Sequence, residues 1–167
     1  MSRDEEQFLA LDGLVQWTSA AITQADRLAN ATITISTPET FRLTRAALRT
    51  EADLFIAAAW KVLEFRKWIS ALGLRPSVDF SEIDKFDTQD TRDLRNMREH
   101  VVDYFQGRGN NQDRWWVETP EFKADASTMV GNIIGGRLDY KAFAEAARRL
   151  LPQLLKEPNP NPLKNTR

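Results

Sequence analysis

The segment from Thr37 to Gly73, TPETFRLTRAALRTEADLFIAAAWKVLEFRKWISALG, decides the fold. Thr37 is a residue type that caps helices, and Pro38 takes the first helical position, where its missing N–H costs nothing. No further glycine or proline occurs before Gly73, so the segment predicts one helix that is roughly 50 Å long at 1.5 Å per residue. An apolar column repeats along it every seven residues: Phe41, Leu48, Phe55, Val62 and Ile69. A helix of this kind is expected at the centre of a bundle or in a dimer interface.

A second long helix is predicted on the N-terminal side of this segment. Ser2 and Glu5 match the capping-box pattern, and apolar residues from Phe8 to Ala29 follow one helical face. Residues 30–36, NATITIS, break that period and predict an extended connector. The two longest helices are therefore neighbours along the chain.

Shorter helices are predicted on the C-terminal side. Residues 80–86 predict a short helical turn with Ser81 as its cap. Asp139 is predicted to cap a last helix, which Pro152 bends or frays near its end.

Between these helices the composition shifts toward β-branched and aromatic side chains. Segments 114–118 and 127–134 predict the two strands of a small hairpin with a long connection. Trp115 and Trp116 would face opposite sides, one toward the bundle and the other toward solvent or a partner. The chain is thus predicted to be mostly α, an up-and-down helical bundle of four to five helices with a small β-hairpin insertion near residues 114–134.

The composition of the chain excludes several classes of site and partner. The chain has 167 residues, 42% of them hydrophobic, which suits one domain over residues 1–156, followed by a disordered Pro/Asn-rich tail over 157–167. The absence of cysteine excludes disulfides and thiolate metal sites. The net charge of −1 argues against holding duplex DNA by bulk electrostatics. No secretory signal or membrane-length apolar run occurs, so we expect a cytoplasmic protein without membrane association.

Residues 91–107, TRDLRNMREHVVDYFQG, contain the only histidine of the chain. The spacing predicts one helix that is capped by Asp90 or Thr91 and ends at Gly107. Its apolar stripe is spaced three, four and four residues and comprises Leu94, Met97, Val101 and Phe105.

The opposite arc of this predicted helix is polar. Asn96, His100 and Tyr104 share one column, with Arg92 one turn earlier, and the next column holds Arg95, Glu99 and Asp103. One interpretation is a solvated face carrying an ordinary Arg95–Glu99 ion pair. The other is a site in which the imidazole moves a proton, an arginine holds a phosphate and the amide orients the ring.

The pattern Arg95-Asn96-x-x-x-His100 resembles the R-N-x-x-x-H signature of the HEPN superfamily, the higher eukaryotes and prokaryotes nucleotide-binding domains. The resemblance implies an all-helical homodimer. Many members are metal-independent ribonucleases, often toxins with an antitoxin partner or antiviral effectors, and others are non-catalytic nucleotide or RNA binders. A toxin subgroup carries H-x-Y, whereas this chain has His100-x-x-x-Tyr104.

The sequence motifs of other common active sites are absent. There is no H-E-x-x-H, no second histidine, no G-x-S-x-G and no phosphate-binding glycine loop, so neither a metal nor a cofactor is predicted. Asp84, Asp87 and Asp90 are interpreted as helix-terminal capping charges rather than magnesium ligands. By elimination, an active site would be built around His100.

Two functions follow as hypotheses. In a HEPN-like endoribonuclease, His100 is the acid/base, Arg95 the phosphate clamp and Asn96 the orienting amide, with Arg92, Arg98 and Tyr104 as substrate-binding candidates. Because Arg95 and His100 point about 140° apart on an ideal helix, they meet only through the length of the arginine or across a dimer axis. The alternative is a non-catalytic helical dimer that binds a nucleotide or a protein partner.

Overall fold

A computed structural model describes residues 2–31, 33, 35–118 and 123–156. The predicted tail over 157–167 lies outside the described residues. The described part has six α-helices and five short strands. The helices are α1 (Arg3–Asn30), α2 (Pro38–Ala71), α3 (Ser81–Asp84), α4 (Gln89–Glu99), α5 (Val101–Phe105) and α6 (Tyr140–Lys156). The strands are β1 (Trp116–Glu118), β2 (Lys123–Asp125), β3 (Met129–Val130), β4 (Ile133–Ile134) and β5 (Leu138–Asp139).

The main helices begin where local capping chemistry predicts. At α1, the Ser2 side chain accepts from the Glu5 N–H while the Ser2 N–H donates to the Glu5 carboxylate at 2.7 Å. Thr37 forms the equivalent capping box with Thr40 at the start of α2. Asp139 Oδ1 accepts two backbone N–H groups at the start of α6, both at 3.0 Å. These three caps confirm the sequence-based predictions. Ser81 is instead the first residue of α3, and its N–H donates to Asp79.

The core lies where α1 packs against both α2 and α6, and α2 also packs against α4. From the predicted apolar column, Phe55, Val62 and Ile69 are fully buried, whereas Phe41 is 38% exposed. The C-terminal half of α2 is therefore the central helical segment. Within the described residues, every helix is too short or too polar to span a lipid bilayer.

The β insertion is present, but its strands pair differently from the prediction. β1 pairs antiparallel with β2, and β3, β4 and β5 form a separate antiparallel sheet in that order. The segment 127–134 does not pair with 114–118, because it folds back on itself at Gly131, whose φ is +57°. Trp115 is buried and Trp116 is 50% exposed, which confirms their predicted opposite environments.

A single carboxylate organises the turn between β2 and β3. Asp125 Oδ1 accepts from the Ser127 N–H at 2.7 Å, the Ser127 hydroxyl at 2.7 Å and the Thr128 hydroxyl at 2.8 Å. Burial of Asp125 opposes ionisation, but these hydrogen bonds and the nearby Arg49 outweigh it, and the pKa of Asp125 is lowered. The ionised form is thus the one that the fold stabilises.

We expect Asp125→Ala to lower the free energy of unfolding by about 1–2 kcal/mol at pH 7, because charge-assisted hydrogen bonds are lost. A group with a depressed folded pKa stabilises the fold above its unfolded pKa, and that stabilisation is lost as pH falls through the folded pKa. The difference between wild type and variant in urea unfolding should therefore shrink in acid. Asp12→Ala, at an exposed position of α1, is the matched control. A difference that stays constant into acid would contradict this assignment.

Candidate functional site

The helix that was predicted over 91–107 is interrupted at its histidine. α4 is capped by Thr88, not by Asp90 or Thr91, and His100 leaves the helical region with φ −110° and ψ 31°. The single-helix prediction was wrong, because the chain turns at His100 and resumes as a separate short helix, α5. The Tyr104 ring stacks on Trp115 at 5.2 Å between centroids.

The interruption also ends the predicted apolar stripe. Leu94 and Met97 are buried, but Val101 is only half-buried and Phe105 is 73% exposed. The stripe fixes α4 to the core and leaves the following turn at the surface. His100 thus lies at the junction between a fixed helix and an exposed turn.

A polar pocket of about 430 Å³ lies beside this junction, and we call it the His100 pocket. One wall is a stripe along α4 at spacings of four, three and four residues: Gln89, Asp93, Asn96 and His100. The other wall comes from α5 and the loop after it: Asp103, Tyr104, Arg108, Gly109, Asn110 and Asn111. The predicted Asn96, His100 and Tyr104 are therefore brought together.

Arg95 does not line the His100 pocket. It lines a smaller neighbouring cavity of about 250 Å³ between α4 and α2, whose apolar floor includes Ile56 and Trp60. The Arg95 guanidinium carbon lies 5.8 Å from the centroid of the Trp60 ring. A guanidinium over an aromatic face is held in place without losing its charge.

Glu99 connects the two groups that the sequence singled out. Its Oε2 lies 2.6 Å from the Arg95 Nη1 and 3.9 Å from the His100 Nε2. Arg95 Nη1 also donates to Asn96 Oδ1 at 3.0 Å. The carboxylate that pairs with the guanidinium thus also lies near the imidazole, whose side chain is 58% exposed. An anion that contacts both groups would take the position of Glu99.

Arg92 and Arg98, which were predicted to bind substrate, are engaged elsewhere. Arg92 donates to Asp87, which also accepts from Lys67 of α2. Burial of Asp87 opposes ionisation, but these two cations outweigh it and lower its pKa. Arg98 pairs with Asp53 of α2, and its side chain is only 10% exposed. Arg98 thus joins α4 to α2 directly, and Arg92 does so through Asp87, while their assignment to substrate binding stays a prediction.

Tyr104 forms part of the far wall of the His100 pocket. Its hydroxyl donates to the Asn110 carbonyl at 2.5 Å, and desolvation raises its pKa, with the nearby Asp93 charge adding to the shift. A phenol held in this way positions the loop rather than exchanging a proton near neutral pH.

Sequence analysis missed several residues of the site. Asp93 is buried, accepts from Gln89 at 2.8 Å and lies 2.8 Å from the Arg114 guanidinium. The spacing of Asp93 from Asn96 and His100 could have indicated that it belongs to the site, because all three residues share one helical face. Asn110 and Asn111 gave no such signal, because a loop places them there.

Comparison with known proteins gave no match to a family model, a curated protein or a solved structure. Among the described residues, no group of three or more His, Asp or Glu side chains could hold a metal ion.

Proposed function

We propose that this protein is a HEPN-like, metal-independent endoribonuclease of the toxin or defence type, acting as a homodimer in the cytoplasm. The observation that carries the proposal is the shared carboxylate: Glu99 holds Arg95 at 2.6 Å and lies 3.9 Å from the His100 imidazole. RNA cleavage requires a base and a phosphate clamp close to one small anion, and Glu99 occupies such a position between His100 and Arg95.

RNA brings its own nucleophile, the 2′-OH, so the protein needs to supply only proton transfer and charge stabilisation. His100 takes the proton of the 2′-OH as the 2′-O–P bond forms. The P–O5′ bond breaks, and the 5′-oxygen takes a proton from water or from the imidazolium of the second copy. Arg95 donates to the phosphate oxygens, and Asn96 orients the phosphate through the hydrogen bond it shares with Arg95.

Homodimerisation supplies what one copy lacks. Arg95 and His100 line different pockets, and each cation around Arg95 is paired within the chain, Lys61 with Glu64 and Arg98 with Asp53. Two copies facing each other would double the imidazoles and guanidinium groups in a single cleft. An antitoxin partner would then act by covering this cleft.

The proposal is tested by incubating the purified protein with single-stranded RNA in the presence of a chelator, while its size in solution is measured. We expect cleavage to persist when the chelator is present. We also expect the cleaving activity to occur in the fractions that contain the dimer. Cleavage that chelator abolishes, or that is absent from a pure dimer, would contradict the proposal.

We expect Glu99→Gln to tighten binding of RNA about three- to tenfold at low salt, because it removes a negative charge from the phosphate position. The gain should fade as salt rises, since the Glu99 side chain is 48% exposed. Fluorescence anisotropy with a His100→Ala background measures binding without cleavage. Glu82→Gln, an exposed carboxylate paired with Lys85, is the control. If Glu99→Gln and Glu82→Gln bind RNA with equal affinity, the phosphate does not bind at the position of the Glu99 carboxylate.

A non-catalytic dimer that binds a nucleotide or a protein is the second candidate. The observation that favours it is the cavity beside Arg95, where ion pairs surround an apolar floor of Ile56 and Ala57. An apolar centre with a charged rim is typical of protein interfaces. RNA that binds but is not cut by the wild-type dimer would support this candidate.

A further inference from the structure

The charges around His100 divide the site into two unlike halves. In the His100 pocket both lining carboxylates are already compensated, Asp103 by Arg108 at 3.0 Å and Asp93 by Arg114 at 2.8 Å. The pocket therefore offers no uncompensated cation to a phosphate. On the other side of His100, the Arg95 guanidinium pairs with Glu99, the carboxylate that an incoming anion would replace, and also donates to Asn96 Oδ1. A ligand with one neutral polar end and one anionic end fits this division.

The pocket also holds unused hydrogen-bonding groups of both kinds. Within the described residues, the side-chain amides of Asn110 and Asn111 make no hydrogen bond, and Asn96 uses only its oxygen, toward Arg95. Each amide presents a carbonyl acceptor and two N–H donors. Such a set complements a neutral group that is itself rich in donors and acceptors, such as a nucleobase or a ribose.

The backbone that carries these amides is held in place before any ligand binds. The Tyr104 hydroxyl fixes the Asn110 carbonyl, and the Tyr104 ring lies on Trp115. Gly109 passes so close to that ring that an added Cβ would lie 2.6 Å from it. Asn111 adopts the left-handed conformation with φ 53°, which asparagine tolerates better than most residues. A preorganised wall reduces the entropy lost on binding.

We propose that the His100 pocket binds the nucleoside on the 5′ side of the cleaved bond, and this inference rests on the proposed function. With that nucleoside in the pocket, its 2′-OH lies beside His100 and its 3′-phosphate extends toward Arg95. The 2′-OH proton passes to the imidazole, the 2′-O–P bond forms and the P–O5′ bond breaks. The nucleoside in the pocket leaves with a 2′,3′-cyclic phosphate.

The test is calorimetric or NMR titration of the intact protein with the four nucleoside 3′-monophosphates, ribose 5-phosphate and inorganic phosphate. Asn110→Ala and Asn111→Gly remove the two amides, and glycine keeps the left-handed backbone free of strain. Gln106→Ala, an exposed residue of the preceding turn outside the pocket, is the control. Thermal unfolding checks that each variant is folded.

We expect at least one nucleoside monophosphate to bind tenfold or more tightly than ribose 5-phosphate and inorganic phosphate. Each asparagine variant should weaken that binding by about three- to tenfold, as expected for one lost hydrogen bond, and should leave inorganic phosphate unaffected. Gln106→Ala should change neither. Nucleotides that bind no better than inorganic phosphate, or asparagine variants that bind like wild type, would overturn the nucleoside site.

The two proposals fail separately. If His100→Ala abolishes RNA cleavage while the asparagine variants bind nucleotides like wild type, the nuclease stands and the nucleoside site falls. If nucleotides bind through the asparagines but wild-type protein cuts no RNA, the nucleoside site stands and the nuclease falls.

Discussion

His100→Ala should lower the rate of single-stranded RNA cleavage by about 10²–10⁴-fold, the usual worth of general acid–base catalysis. The imidazole is the only one in the chain, and no other side chain at the junction of α4 and α5 exchanges a proton readily near neutral pH. The loss should appear in single-turnover cleavage of a labelled RNA, with RNA binding nearly unchanged. Because the side chain is 58% exposed, the fold should be unaffected.

Arg95 provides a second test of the same chemistry. Arg95→Lys retains the charge but loses the planar fork that holds two phosphate oxygens, so it should also reduce cleavage strongly. Arg42→Ala, at an exposed position of α2, is the matched arginine control and should cut like wild type. If His100→Ala and Arg95→Lys both cleave at the wild-type rate, the nuclease proposal is wrong.

Phe143→Ala should lower the free energy of unfolding by about 3–5 kcal/mol, as large-to-small changes in aromatic cores do. Phe143 is completely buried, and its ring lies 5.8 Å from that of Phe55 and 5.0 Å from that of Phe86. It thereby joins α6 to α2 and to the segment after α3. Removal of the ring leaves a cavity at the point where these elements meet. Urea unfolding monitored by circular dichroism gives the free energy directly.

Phe105→Ala is the matched control for that prediction. Phe105 is 73% exposed and makes one edge contact with Trp115 at 5.6 Å. Its removal should cost less than about 1 kcal/mol, since little apolar surface is uncovered. Similar losses for the two variants would show that the core is not centred on Phe143.

Local signals predicted much of the helical framework. The caps at Ser2, Thr37 and Asp139 depend on hydrogen bonds that span three residues, so short sequence patterns contain all the partners. The strand pairing was less well predicted. Gly131-Asn132 is a short turn signal that separates β3 from β4, yet the segment around it was interpreted as one strand.

The site was predictable only in part. Arg95, Asn96, Glu99 and His100 lie within one and a half helical turns, so their proximity follows from helical spacing. The division into two pockets does not, because it depends on which side of α4 the bundle covers. Arg92 and Arg98 were predicted to bind substrate because they are arginines close to His100 in the sequence. Their ion-pair partners, Asp87 and Asp53, could be identified only in the folded chain.

The amino-acid sequence by itself determined the three longest helices, their caps, the apolar column of α2 and a short segment in which a histidine follows an arginine at helical spacing. These features depend on neighbours within about a turn of helix, where backbone geometry fixes distances. Only the tertiary structure showed that the helix breaks at His100 and that the Tyr104 ring then stacks on Trp115, because contacts between separate elements are not fixed by helical spacing. The loop between Tyr104 and Trp115 places Asn110 and Asn111 in the pocket that His100 also lines.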